Sequence, residues 1–138
     1  MEIQRVSKES VDVFWETVKY WIQSATDQSK GRHTLKTTYD LLQKDLMQMF
    51  LIIEDKVVKA VYVTQVTQYP AMNVLSILFC GGSKVIKNVK QIEDFFRKFA
   101  KSTNCKALEI IGRKGWSKVI KNNNLNFKET GLYYEMAT

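Results

Sequence analysis

The stretch from Val74 to Ile111 constrains the fold more than any other part of the chain. It begins with an apolar run, Val74–Cys80, whose composition predicts a strand buried on both faces. Two glycines and a serine break this run, an amphipathic helix opens at Asn88, and a short apolar run, Ala107–Ile111, ends at a glycine. A helix between two strands is typical of a crossover, which joins parallel strands. We therefore expect Val74–Cys80 and Ala107–Ile111 to lie parallel in one sheet.

The helix in this stretch is the clearest in the sequence. Its apolar residues recur three and four positions apart, which is the spacing of one helix face: Val89, Ile92, Phe95, Phe96 and Phe99. Asn88 and Gln91 are three residues apart, the spacing of a capping box in which two side chains bond to free amides of the first turn. We expect this helix to bury its phenylalanines against the sheet.

The first third of the chain predicts a short strand, Glu2–Val6, and then two helices. Ser7 or Ser10 is placed to cap the first helix, because a side-chain oxygen there accepts from free backbone amides. Both helices show apolar stripes at helical spacing. The stripes are Val11, Phe14, Trp15, Val18 and Ile22 in the first helix, and Leu35, Tyr39, Leu42 and Leu46 in the second.

The hydrophobic period changes at Phe50. Phe50–Ile53 and Val57–Val66 predict a β-hairpin with a tight turn at Glu54–Lys56. Near the end of the chain, Trp116–Lys121 predicts a short helix and Phe127–Met136 a closing strand. The order is β-α-α-β-β-β-α-β-α-β, which indicates an α/β protein with a mixed sheet of the α+β kind. No linker or repeat interrupts it, so we expect residues 1–138 to form a single domain.

The net charge is the most informative part of the composition. The chain has 21 Lys plus Arg against 14 Asp plus Glu, a net charge of +7, and a pI near 9.4. Such an excess favours polyanionic partners: a phosphate-bearing cofactor, nucleic acid or an acidic protein surface, although solubility alone explains it equally well. No apolar run approaches the roughly 18 residues that cross a bilayer. The N-terminus does not resemble a signal peptide, so we expect a cytoplasmic protein that does not enter membranes.

Single chemistry-bearing residues give weaker signals. The two cysteines, Cys80 and Cys105, lack the spacing of a metal site or a CxxC pair, which favours buried reduced thiols. His33 is the only histidine, and the neighbouring Thr34 and Lys36 are typical of a solvated helix start. A catalytic or metal-binding role for His33 is the less favoured alternative, and no metal site is expected.

The order of elements is similar to that of the Gcn5-related N-acetyltransferase (GNAT) superfamily over nearly the whole chain, most closely from Val74 onward. The resemblance implies that the strand Val74–Cys80 splays from Ala107–Ile111, and that acetyl-CoA lies in the wedge between the two strands. The following loop would wrap the cofactor's pyrophosphate at a helix N-terminus, where free amides and the helix dipole favour an anion. The implied cofactor-binding residues are Cys80, Gly81, Gly82, Ser83, Lys84 and Lys87.

The glycines and the end of the chain refine this resemblance. Gly81 and Gly82 would let the backbone approach phosphate closely, so the substitution Gly82→Asp is expected to abolish binding of the cofactor. The family's loop signature, Arg or Gln, two residues, Gly, one residue, Gly or Ala, is absent. Gly112–Trp116 through Asn126–Phe127 is similar to the family's last helix and Gly-Phe corner in the divergent form that bacteriophages encode, which implies a viral protein in the host cytoplasm or the virion.

The resemblance leaves the catalytic residues unassigned. Many family members carry a tyrosine, four residues before the Gly-Phe corner, as general acid; that position is Asn122, whose amide cannot act in this way. The predicted strand Val74–Cys80 has no Asp, Glu or His to act as base. The nearest carboxylates in sequence are Glu54, Asp55 and Glu109, and Tyr133 and Tyr134 of the predicted closing strand are candidate acids. Turn, strand or packing roles are favoured for all five.

Three functions are compatible with these observations. The first is an acyl-CoA-dependent N-acyltransferase, in which positioning of the reactants alone contributes much of the rate. The second is a noncatalytic GNAT-fold protein, virion-associated or partner-binding, because a fold does not by itself carry a function. The third is nucleic-acid binding by a basic surface around Trp116, although core packing is the favoured role of that residue. The basic residues of this surface are Arg113, Lys114, Lys118 and Lys121.

Overall fold

The structure is a computed structural model, and it describes residues 1–83, 88–112 and 115–138. Its elements are β1 (Glu2–Val6), a 3-10 turn (Lys8–Ser10), α1 (Val11–Thr26), α2 (Leu35–Gln43), β2 (Gln48–Glu54), β3 (Val57–Gln68), β4 (Asn73–Gly82), α3 (Val89–Ser102), β5 (Ala107–Ile110) and α4 (Gly115–Asn122). This order confirms the first nine elements predicted from the sequence. No helix in the described ranges is long and apolar enough to span a membrane.

The five strands form one mixed sheet in the order β1-β2-β3-β4-β5. The first four strands pair antiparallel, and β4 and β5 pair parallel from Val74 opposite Ala107 to Ile77 opposite Ile110. The predicted fold class and the predicted parallel pair are therefore confirmed. The β2–β3 hairpin closes through Asp55 and Lys56, whose φ values of 52° and 64° match a two-residue hairpin turn.

Side-chain alternation along the strands gives the sheet two buried faces. On one face, Met49 and Leu51 of β2 pack with residues of α1 and α2; on the other, Phe50 and Ile52 pack with α3. Phe96 of α3 is fully buried, and its ring centroid lies 5.0 Å from that of Phe50. The predicted apolar stripe of α3 is therefore the part of the helix that covers the sheet.

The helix starts differ from the capping predictions. Asn88 has a left-handed backbone (φ 60°), and its side chain makes no cap bond, because capping requires an extended backbone that aims the side chain at the first-turn amides. The predicted capping box at Asn88 is therefore wrong. Ser10 precedes α1 without a side-chain cap bond, whereas Thr34 and Thr37 form a capping box at the start of α2. The predicted stripe of α2 also ended too late, since Leu46 lies beyond the helix and is exposed.

The predicted closing strand, Phe127–Met136, is absent: the described residues 127–136 contain no strand. Tyr133 and Tyr134 are 85% and 89% exposed, and a strand pattern is stable only where it meets a half-buried pleated surface. The segment instead contacts the rest of the protein at its two ends: Phe127 lines a cavity beside α3, and Glu135 forms an ion pair with Arg32. The tenth element of the predicted order is therefore wrong.

Candidate functional site

β4 and β5 separate beyond the pair Ile77–Ile110, and this fork is the candidate site. β4 continues to Gly82 and stays paired with β3, while β5 ends at Ile110. Within the described residues, the other edge of β4 from Leu78 to Gly82 therefore has no strand partner. An unpaired strand edge offers a row of backbone N–H and C=O groups to a ligand. We use the word wedge for this gap between β4 and the chain beyond Ile110.

β4 is irregular at the point where the wedge opens. Its register with β3 changes from Ile77 opposite Thr64 to Phe79 opposite Val63, so Leu78 is an extra residue without a β3 partner. Such a bulge bends the strand and redirects its side chains, and bulges are frequent beside active sites. Leu78 and Phe79 consequently both pack on the face covered by α1 and α2.

A small cavity lies at the root of the wedge, on the face covered by α3. Its lining residues come from the sheet, from α3, and from α4 and the turn after it: Tyr62, Ile77, Val89, Ile92, Glu93, Phe96, Ile110, Trp116, Leu125 and Phe127. The cavity volume is about 20 Å³, which holds roughly one water molecule. Side chains thus nearly fill the space between the sheet, α3 and α4 at the root of the wedge, and a ligand that entered this space would need α4 to move away from α3.

A buried carboxylate holds the turn after α4 against α3. Glu93 is only 4% exposed, and its carboxylate accepts hydrogen bonds from the backbone N–H of Asn126 (2.7 Å) and from the Asn126 side-chain amide (2.9 Å). Arg97 donates to the same carboxylate at 3.3 Å. Lys90 donates to the carbonyl of Asn124 at 3.1 Å. The sequence prediction missed Glu93, although its position three residues before Phe96 puts it on the buried stripe of α3.

Gly81 and Gly82 continue β4 rather than break it. They pair with Val61 and Ala60 of β3, so the predicted break at Gly81 is wrong. Gly82 has φ +130°, and a Cβ there would lie 2.3 Å from the carbonyl oxygen of Lys59. Close approach to β3 explains this glycine without a ligand. A side chain at Gly82 would disturb the pairing with β3, so a loss of cofactor binding in Gly82→Asp would not by itself report phosphate contact.

The other predicted cofactor-binding residues divide into two groups. Cys80 is half-buried beside the fork, opposite Tyr62 of β3, and Ser83 donates its backbone N–H to a β3 carbonyl at 2.9 Å. Burial raises the pKa of the Tyr62 phenol, and the neighbouring Cys80 thiol raises it further. Lys84 and Lys87 lie outside the described residues. The structure therefore places Cys80 nearest the wedge and directs Ser83 toward β3.

The carboxylates and tyrosines considered from the sequence lie at the edges of this site or away from it. Glu54 and Asp55 belong to the hairpin of β2 and β3, on the opposite side of β4 from the wedge. Glu109 accepts a 2.6 Å hydrogen bond from the hydroxyl of Ser76. It lies on the α1–α2 face, because its neighbours in β5 pack with α3. The two tyrosines of the C-terminal segment are exposed, and Asn122 is the last residue of α4.

His33 lies beside β4 near the wedge. The loop between α1 and α2 is held by Ser29, whose hydroxyl accepts from the backbone N–H of His33 (3.0 Å) and donates to its carbonyl (3.1 Å). The imidazole meets the ring of Phe79 edge to face, with 5.1 Å between centroids. Burial lowers the pKa of His33, and the positive charge of Arg32 lowers it further. The residues around His33 are typical of a solvated helix start, and no local pattern in the sequence indicates its contact with β4.

Three comparisons with known proteins bear on this geometry. The sequence matches no protein-family model and no curated protein. The fold, in contrast, is similar to solved acetyltransferases. An aminoglycoside acetyltransferase from an uncultured soil metagenomic sample, solved with sisomicin, superposes with a TM-score of 0.71 at 8% identity and covers 99% of this chain and 95% of its own.

Two further structures agree with that one. The ribosomal-protein-alanine N-acetyltransferase of Brucella melitensis biovar Abortus 2308 has a TM-score of 0.67 at 10% identity, with 99% of this chain and 100% of its own covered. A protein of Clostridium acetobutylicum, described as a predicted acetyltransferase and solved with acetyl-CoA, has a TM-score of 0.67 at 12% identity and coverages of 99% and 95%. At these identities the likeness establishes the fold, which is that of GNAT acetyltransferases.

Proposed function

We propose that the protein transfers an acetyl group from acetyl-CoA to an amine at the wedge between β4 and β5. One observation carries the proposal: β4 bulges at Leu78 where its pairing with β5 ends, and this leaves a free backbone edge in a fold similar to acetyltransferases. A fold alone does not define an activity, so the local geometry of β4 is essential to the argument.

Acetyl-CoA fits the chemistry of the residues around this edge. The backbone groups of Leu78–Gly82 that face the wedge would bond the amides of the pantetheine arm as a neighbouring strand would. The exposed Lys90 lies in the first turn of α3, where the helix dipole also favours an anion. Lys84 and Lys87 add positive charge along the sequence between β4 and α3. When bound, the thioester supplies an activated carbonyl carbon for attack by the amine.

Binding and transfer are tested separately. Calorimetry with CoA should show binding that weakens as salt is raised, because the phosphate contacts are electrostatic. Acetyl transfer is then followed by release of the CoA thiol and by the mass of the amine. Sisomicin and a peptide that begins with alanine are the first acceptors to try, by analogy with the structural neighbours. Absence of heat at millimolar CoA, together with no change in melting temperature, would reject the proposed function.

The small cavity at the root of the wedge favours one alternative. With Trp116, Leu125 and Phe127 around a cavity of about 20 Å³, the protein would be a noncatalytic GNAT-fold scaffold that binds a partner. We also propose a phage-type relationship, a cytoplasmic or virion location and an acidic protein partner, on the basis of the sequence resemblance and the net charge of +7. Nucleic-acid binding gains nothing from the structure, since Trp116 lines the cavity and two of the four basic residues lie outside the described ranges.

A further inference from the structure

We propose that His33 is the general base that accepts the proton of the attacking amine. The inference rests on the proposed acetyl transfer and deepens it by assigning the acceptor side of the wedge. It begins from two contacts: the imidazole of His33 packs on the ring of Phe79, and Phe79 directly follows the bulged Leu78 at the fork of the sheet.

The two faces of the sheet offer different access to this fork. On the α3 face, the cavity of about 20 Å³ is closed by side chains of α3, α4 and the turn after α4. On the opposite face, the loop between α1 and α2 carries the half-buried His33 over Phe79. His33 therefore brings a titratable side chain to the fork on the face opposite to α3. This loop is fixed by the two hydrogen bonds between Ser29 and the backbone of His33.

The chemistry requires a neutral imidazole with a free nitrogen. As the amine nitrogen forms its bond to the acetyl carbon, the C–S bond breaks and its electron pair leaves with sulfur as the CoA thiolate. The amine loses one proton, which an imidazole nitrogen of His33 accepts and later releases to water. None of the hydrogen bonds within the described residues involves an imidazole nitrogen of His33. Among these residues, neither nitrogen has a hydrogen-bond partner.

The surroundings of His33 favour its neutral form. Arg32 is its charged neighbour in the loop, and Glu135 of the C-terminal segment pairs with Arg32. β4 contributes the apolar ring of Phe79. Burial and Arg32 together lower the pKa of His33, so the basic form dominates at neutral pH. Glu109 is less suited to the role, because one of its carboxylate oxygens already accepts a hydrogen bond from Ser76.

Because His33 is the only histidine, the protein gives one imidazole signal in an NMR titration. We expect that signal to yield a pKa below 6.5, the value of an unperturbed histidine, and to shift when CoA is added. This readout does not depend on activity. A His33 signal that stays constant at saturating CoA, while the indole signal of Trp116 in the wedge changes, would separate His33 from the wedge and overturn the proposal.

Kinetics test the role itself. For the wild type, kcat/KM should rise with pH through the pKa measured for His33, because the base must be unprotonated. His33→Ala should lower kcat by about 100-fold, leave KM for acetyl-CoA unchanged, remove this pH dependence and recover part of its activity in added imidazole. Lys36→Ala, at an exposed position near the same loop, is the matched control and should behave as wild type. If no amine reacts, the same comparison is made on the slow hydrolysis of acetyl-CoA.

The outcomes separate this inference from the proposed function. If the wild-type protein does not bind CoA, both the proposed acetyl transfer and the role of His33 are rejected. If the wild type binds CoA and His33→Ala keeps full activity, the role of His33 is rejected and the proposed acetyl transfer is retained. If the protein binds CoA but transfers no acetyl group to amine or to water, the proposal that His33 is a general base is also overturned. Thermal unfolding of His33→Gln shows whether the loop folds without the imidazole, and a folded but inactive His33→Gln supports the proposal.

Discussion

The two edges of β4 differ in how completely they are paired. Toward β3, the strand is paired from Asn73 to Gly82, whereas toward β5 it is paired only from Val74 to Ile77. The edge of β4 toward β3 is therefore closed by pairing, whereas its edge toward β5 opens into the wedge. Folding and candidate chemistry are therefore separated across a single strand. Substitutions on the closed side should act on stability, and those at the wedge on binding.

The largest effect on stability is expected in the core between α3 and the sheet. Phe96→Ala should lower the free energy of unfolding by about 3–5 kcal/mol, because Phe96 is fully buried against Phe50 and Tyr62. Denaturant unfolding measures this value. The exposed Lys98 on the same helix supplies the control, since Lys98→Ala should change stability little. A loss below about 1 kcal/mol for Phe96→Ala would show that α3 is packed differently.

The next effect lies at the end of the closed edge. Gly82→Ala should cost about 3 kcal/mol, because a Cβ would meet the backbone of Lys59 and because φ +130° is strained for alanine. Gly115→Ala is the matched control: a Cβ there meets no atom within 4 Å, at the start of a helix. Thermal unfolding of the two variants should give a clear difference. Equal melting temperatures would mean that β4 stops before Gly82, as the sequence alone predicted.

A smaller effect is expected where the wedge is attached to α3. Glu93→Ala should lower stability by about 2 kcal/mol, because the N–H of Asn126 loses its acceptor. Glu93→Gln keeps one acceptor oxygen and should lose less. Hydrogen exchange of the Asn126 amide provides a local readout, with faster exchange expected in Glu93→Ala. Unchanged exchange would show that the turn after α4 is held by other contacts.

The smallest free-energy effect is expected in the affinity for CoA. Trp116→Ala enlarges the cavity of about 20 Å³, so we expect CoA to bind about tenfold more tightly, which is about 1.4 kcal/mol. Trp116→Phe, which keeps most of the ring volume, is the control. Calorimetry measures both affinities. Weaker binding by Trp116→Ala would mean that the indole contacts the cofactor instead of excluding it.

Most of the fold could be predicted because its signals are local. The stripe that contains Ile92 and Phe96 and the run Val74–Cys80 each reflect contacts that recur along one element. The parallel pair followed from connectivity, since a strand that is joined to another through a helix must cross over. The prediction of a strand at Phe127–Met136 was wrong, because a strand also requires the edge of a neighbouring strand. The residues within the segment do not determine whether such an edge is present.

The candidate site could be predicted only in outline. The bulge at Leu78 depends on the register between β3 and β4, which two apolar strands do not specify by themselves. Gly81 and Gly82 resemble a phosphate loop in sequence, because close approach of a neighbour requires glycine whatever that neighbour is. In the structure the neighbour is Trp21 of α1 at Gly81 and the backbone of β3 at Gly82. His33 meets Phe79 across 46 residues of sequence, and a contact of that kind has no local signature.

The buried bonds of Glu93 set a limit on how often the wedge is open. Any displacement of α4 that carries Asn126 away from α3 leaves this carboxylate without two of its donors, at a cost of about 3 kcal/mol. At that cost, about one molecule in a hundred is open at any moment. A ligand that binds only the open form then shows an affinity about a hundredfold weaker than its contacts alone would give. A partner that holds α4 outward would restore the full affinity without touching the ligand.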